Sequence, residues 1–213
     1  MSRLIWILPE IKKNAKMQFF ITPAVKYELI DRPLTIKRFQ FEALEVSKLL
    51  REGVLEIYNK VPKAKVKKLQ KIANSSFKIK GKTMDIIQEG EMECVLSSLQ
   101  EANSAVVIDE RTLRLFIENN PAMGKLLEHR FRRKVTANKE KMEIFSKFFK
   151  NLTIMRSIEL VSIAYKMKLL DPYLIKGRAA RETLVNSVLW ATKYNGCAVT
   201  ETEINELKGY LVR

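Results

Sequence analysis

Long apolar runs are missing from this 213-residue chain. The longest, Leu4 to Leu8 and Ala105 to Ile108, fall well short of the roughly 18 to 20 residues that cross a bilayer, so no membrane partner is expected. The five apolar residues before Pro9 are followed by Lys12-Lys13 and lack the apolar core and cleavage site of a secretory signal. Cytoplasmic residence is the expectation. Cysteine is scarce: Cys94 and Cys197 lie far apart in sequence and argue for no disulfide, and the single His129 excludes a His-rich zinc site. The seven glycines stand singly, which excludes the Gly-rich phosphate loops of Rossmann and P-loop proteins.

Positive charge is what the chain has in excess. Its 39 Lys and Arg against 24 Asp and Glu give a net +15, and 46% hydrophobic residues supply enough material for one domain core. Such a potential draws polyanions such as RNA, DNA or anionic lipid, without saying which. Bases gather in Lys60 to Lys71, Lys78 to Lys82 and Lys125 to Lys150, yet Thr83 to Glu110 holds no Lys, Arg or His and seven acids: Asp85, Glu89, Glu91, Glu93, Glu101, Asp109 and Glu110. A compact set of carboxylates inside a basic chain suits hard cations such as Mg²⁺ or Mn²⁺, which let a phosphodiester approach acids that would otherwise repel it. The same acids also suit helix first turns, where the macrodipole favours them, and Glu91 is read that way.

Short β-branched or aromatic runs bounded by turn signals predict strands at Phe19 to Thr22, Val54 to Tyr58, Ala105 to Ile108 and Leu152 to Met155. Helix-period sequence follows each one. Thr22-Pro23 reads as an N-cap and first helical residue, Ile36, Phe39, Ala43, Val46 and Leu50 as an amphipathic helix ended by Gly53, and Asp109 as the cap of Thr112 to Ile117. Strands alternating with helices imply an α/β fold with a mostly parallel sheet and helices on both faces, the ligand site lying at the carboxyl ends of the strands. Glu28, Glu93, Asp109 and Glu110 all fall near such ends. Glu91 and Glu93 are two apart on a helix, so at most one faces the site, and Glu93 is preferred. Residues 119–150 read as a basic helical hairpin inserted between core segments 1–117 and 152–175, and 177–213 as C-terminal helices.

Three stretches, Ile21-Thr22-Pro23-Ala24-Val25-Lys26-Tyr27-Glu28, Gly90-Glu91-Met92-Glu93 and Ala105-Val106-Val107-Ile108-Asp109-Glu110-Arg111, resemble in order and separation the motifs of PIN-domain metal-dependent ribonucleases. The resemblance implies a three-layer α/β/α fold and a carboxylate site of Glu28, Glu93 and one of Asp109 or Glu110, with Glu91 and Glu10 as weaker candidates. That site would bind Mg²⁺ or Mn²⁺ and hydrolyse RNA. Arg111, Lys125, Arg130, Arg132, Arg133 and Lys134 are the expected nucleic-acid contacts. A homodimer is compatible with the family. The toxin of a toxin–antitoxin pair, with an antitoxin partner, is disfavoured because the hairpin and tail exceed the compact toxin form. Family members open with a central strand ending in a metal-binding Asp, and no Asp precedes Asp31 here. Either that strand is absent, Leu4 to Leu8 opening a helix capped by Ser2 and the chain being short at its start, or Leu4 to Leu8 replaces it with Glu10 near the vacant ligand position. The first is preferred. A relative that binds RNA or protein without cleaving is the alternative function.

Overall fold

The computed structural model describes residues 4–118 and 120–213. Ser2 and Asn119 fall outside them, and with them the cap expected of the one and the segment start expected at the other. Ile7–Ala15 forms helix α1, with Ile7, Leu8 and Ile11 buried one turn apart, and Lys16 ends it in the left-handed conformation at φ 52°. The run Leu4 to Leu8 therefore enters a helix. Strand β1 (Phe19–Ile21) pairs in parallel with β2 (Leu55–Ile57), Phe19 opposite Leu55. Between them run α2 (Pro23–Lys26), a π-helical turn (Tyr27–Asp31), two short 3-10 turns and α3 (Gln40–Arg51). Gly53, at φ +66°, turns the chain out of α3 as its position predicted.

Helix α4 (Lys63–Asn74) buries Val66, Leu69 and Ala73 and turns its lysines outward. A tight hairpin joins β3 (Phe77–Ile79) to β4 (Lys82–Thr83), and both loop residues, Lys80 and Gly81, have positive φ (49° and 77°). Two positive values in a two-residue loop match the twist of antiparallel strands. Helix α5 (Glu89–Ser98), β5 (Val106–Val107), α6 (Arg111–Glu118), α7 (Asn120–Phe131), β6 (Val135–Ala137), α8 (Lys139–Phe148) and β7 (Ile154–Met155) follow. The chain closes with α9 (Ser157–Lys166), α10 (Ala180–Tyr194) and α11 (Glu201–Leu211). The fold is mixed α/β, and all four expected strands are present.

Two expectations change. One mostly parallel sheet was expected, but the described residues form three small sheets: parallel pairs β1-β2 and β5-β7, and an antiparallel β4-β3-β6. The segment 119–150, read as a helical hairpin, contains β6, which pairs with β3 with Phe77 opposite Ala137. It is built into the largest core. Phe77, Phe116, Phe145 and Phe149 pack in series there, edge-on, stacked and tilted in turn with centroids 5.5, 4.2 and 4.6 Å apart, beside Met123 and Leu127. A second core gathers Ile7 and Ile11 of α1 with α9, α10 and α11, and a smaller third one joins Leu8, Ile21, Leu49, Val54 and Leu55. Helix α1 is thus wedged between the last two.

Candidate functional site

Glu28, Glu91 and Glu93 lie where α2 and the turn after it meet the start of α5. Thr22 caps α2, its Oγ1 accepting from Val25 N at 3.4 Å, and Pro23 supplies the first helical residue without a donor to satisfy. The next donor, Ala24 N, is taken by Glu93, whose Oε2 accepts it at 2.9 Å. Glu93 is 5% exposed. This bond holds a carboxylate from α5 against the rim of β1, and among the described residues Glu93 Oε1 carries no hydrogen bond.

Glu28 lies on the π-helical turn and is exposed. Its carboxylate packs over Gly90, where a Cβ would come within 3.2 Å of Glu28 Oε1. Gly90 sits inside α5, at its second residue, and the missing side chain is what lets Glu28 approach. A carboxylate at a helix first turn is favoured by the peptide dipoles. Gln88 caps the same helix, and Glu91 Oε2 accepts Gln88 N at 2.9 Å. The Glu91 carboxyl is pushed up from its ordinary value by burial, against the Gln88 hydrogen bond that lowers it, and further up by the charges of Glu110 and Glu28. Glu28, Glu91 and Glu110 therefore share one field. The Cys94 thiol, near Thr22 Oγ1 at 3.9 Å, is driven up to about 11 by burial first, and by Glu93 and Glu28 as well.

Asp109 and Glu110 divide. Glu110, not Asp109, caps α6: Glu110 Oε2 accepts Leu113 N at 2.9 Å and Oε1 accepts the Thr112 hydroxyl. Asp109 turns the other way, its Oδ1 accepting Ser157 N at 2.7 Å and Oδ2 accepting Ser157 Oγ at 2.5 Å. It thus holds the first turn of α9. The Cys197 thiol beside it is raised to about 12, by burial first and then by Asp109. The reason is positional: adjacent residues at the end of β5 face two different helix starts, and each acid serves the unsatisfied N–H groups it meets.

Glu10 is elsewhere. It lines an apolar groove between α1 and α3, with Trp6 and Phe41 as neighbours, and does not stand among the other acids. The expected nucleic-acid contacts Arg111, Lys125, Arg130, Arg132, Arg133 and Lys134 are all exposed. Arg130 lies 5.8 Å from the Phe131 ring centroid. Among the described residues, no three His, Cys, Asp or Glu side chains stand close enough together to hold a metal ion. Of Glu28, Glu93, Asp109 and Glu110, Glu28 and Glu93 keep carboxylate oxygens not engaged in hydrogen bonds among the described residues. Oxygen donors of that kind suit a hard divalent cation.

Some residues that shape the site had no signal in the sequence. Asn74 accepts from Ile86 N and Ile87 N through Oδ1, at 3.0 and 2.9 Å, and fixes the approach to α5 as a neighbouring strand would. Arg156 ties α9 to α11, donating to Glu159 at 2.7 Å and to Glu203 at 2.6 Å. No family model, curated protein or solved structure matches the chain.

Proposed function

We propose that the chain is a PIN-like, Mg²⁺- or Mn²⁺-dependent endoribonuclease with a three-layer arrangement of helices about parallel strands. The observation that carries this reading is the packing of Glu28 on Gly90 beside Glu91 and Glu93, which joins two of the three sequence motifs into one carboxylate rim. Glu28 and Glu93 Oε1 would hold the cation, with Glu91 or Glu110 joining on leaving its cap. The bound ion would polarise the scissile phosphate and supply an activated water. Glu93 is oriented for this by Ala24 N, and Glu28 by the glycine beneath it.

The test is cleavage of a labelled RNA in Mn²⁺ by the full chain and by Glu28→Gln with Glu93→Gln. The substitutions preserve shape, so the expected result is a folded protein with activity lost by at least a hundredfold. Equal cleavage by the double variant refutes the assignment.

A second reading, binding of RNA without cleavage, is favoured by one feature. Asp109 and Glu110 spend all four carboxylate oxygens on Ser157, Thr112 and Leu113. RNA affinity that falls with salt and ignores Mn²⁺, with no cleavage by the unaltered chain, selects it.

A further inference from the structure

Beside the carboxylate rim runs a groove that the expected nucleic-acid contacts do not include. On α4, Lys67, Gln70, Lys71 and Asn74 recur at the spacing that puts side chains on one helical face. That face forms one wall of a groove of about 510 Å³, and Ser75, Thr83, Asp85, Ile87 and Gln88 form the rest. Its width is set by polar contacts: Gln70 Nε2 and Asn74 Nδ2 both donate to Ile87 O, at 3.0 and 3.1 Å, while Asn74 Oδ1 accepts two backbone N–H groups from the facing wall. Lys141 reaches the same place from α8, its Nζ donating to Ser75 Oγ at 2.7 Å. Three ammonium groups thus flank a channel whose lining contains one acid, Asp85.

The antiparallel sheet explains why these lysines meet. Pairing of β3 with β6 sets Lys78 opposite Thr136, and so brings the basic cluster of residues 60–82 against the one that begins at Lys125. Gln88, the cap of α5, whose N–H is accepted by Glu91, also lines the groove. The lysine-bearing wall therefore shares its groove with the start of the acidic helix.

We propose that this groove is the track for the sugar-phosphate backbone of a single-stranded polynucleotide, with Lys67, Lys71 and Lys141 on its phosphates. The proposal rests on the nuclease reading for what happens at the carboxylate end, and on the groove itself for binding. A groove of about 510 Å³ gives one strand's backbone a lysine-bearing wall to lie against. Cationic grooves that follow a backbone are the general means of holding single strands. A flat anionic membrane does not enter a groove walled on both sides.

The test is anisotropy of a fluorescein-labelled oligouridylate with the full chain in EDTA, in about 50 to 300 mM KCl, so that binding is read without cleavage. Lys67→Ala with Lys71→Ala should weaken binding about tenfold and flatten the plot of log affinity against log salt by about 1.4, the slope of two phosphate contacts on a single strand. Lys176→Ala with Arg178→Ala removes the same charge from an exposed segment outside the groove and should do less. Equal losses from the two pairs, no loss from the first pair, or a loss from it seen only on phosphatidylserine vesicles would overturn the proposal. Circular dichroism checks folding, and these exposed lysines contribute nothing to a core. If the first pair loses binding while the unaltered chain never cuts RNA in Mn²⁺, the track stands and the nuclease reading alone fails.

Discussion

Glu91 illustrates how much one carboxylate can be made to carry. It satisfies the N–H of Gln88 as a helix cap, yet burial and the charges of Glu110 and Glu28 hold its carboxyl above the ordinary value. A folded-state value raised above the unfolded one means that the ionised form opposes folding, so this penalty is present at neutral pH and disappears as pH falls through the folded value. Glu91→Gln keeps an oxygen for Gln88 N and removes the charge. Its melting temperature should exceed that of the parent at pH 7, with the difference closing on acidification, as thermal melts across pH will show. Glu93 is the opposite case. Glu93→Ala strips the acceptor from Ala24 N in a buried setting, at a cost of about 1 to 3 kcal/mol in a denaturant titration. Gly90→Ala separates function from stability: alanine favours the helix by up to about 1 kcal/mol, while its Cβ presses on Glu28 Oε1. The variant should be at least as stable as the parent and weaker in Mn²⁺-dependent cleavage.

At the scale of elements, α8 gives the clearest contrast between packing and surface. Phe145 is fully buried and stacked on Phe116, whereas Phe148 is 39% exposed with Lys65 over its ring. Phe145→Ala should cost about 3 to 5 kcal/mol of unfolding free energy, and Phe148→Ala far less, if 119–150 belongs to the core. That membership was hard to see beforehand. The four predicted strands carry dense runs such as Phe-Phe-Ile and Val-Val-Ile, but β6 is three residues, Val-Thr-Ala, directly after Arg132-Arg133-Lys134, and pairs with a strand some sixty residues earlier. Nothing local marks it. The site was legible in part for a similar reason: Thr22-Pro23 to Glu28 and Gly90 to Glu93 are short spacings that a sequence displays, whereas the meeting of the two, Glu93 on Ala24 N and Glu28 on Gly90, is long-range. Whether Asp109 or Glu110 joins them depends on which helix start each one meets, and that is decided by α9. The first turns of α9 and α11 are held together by Arg156. Burial would raise the Glu203 carboxyl, but Thr200 N–H, the Thr200 hydroxyl and the Arg156 guanidinium outweigh it and hold it at about 2. A depressed carboxyl stabilises the fold above its unfolded value, near 4.5, and loses that contribution as pH falls toward 2. The melting-temperature gap between the parent and Glu203→Gln should therefore be open at pH 7 and close across that interval.

Across the whole molecule, charge and framework are arranged on different principles. The excess of +15 is spread over exposed helix faces and the β3-β4 hairpin, while Glu28, Glu91 and Glu93 gather at the start of α5. Salt should therefore weaken polyanion binding steeply and leave the fold comparatively untouched, because the three cores are apolar and the rim is held by hydrogen bonds. The framework is unusual in how little sheet it uses. Residue 19 pairs with 55, 77 with 137 and 106 with 154, each through only two or three positions. Long stretches of chain must be closed before any of these pairings is rewarded, so the helices are able to form well ahead of the strands that give them direction. After dilution from denaturant, the carboxylate rim, whose members come from both sides of these closures, will be among the slowest parts of the protein to mature.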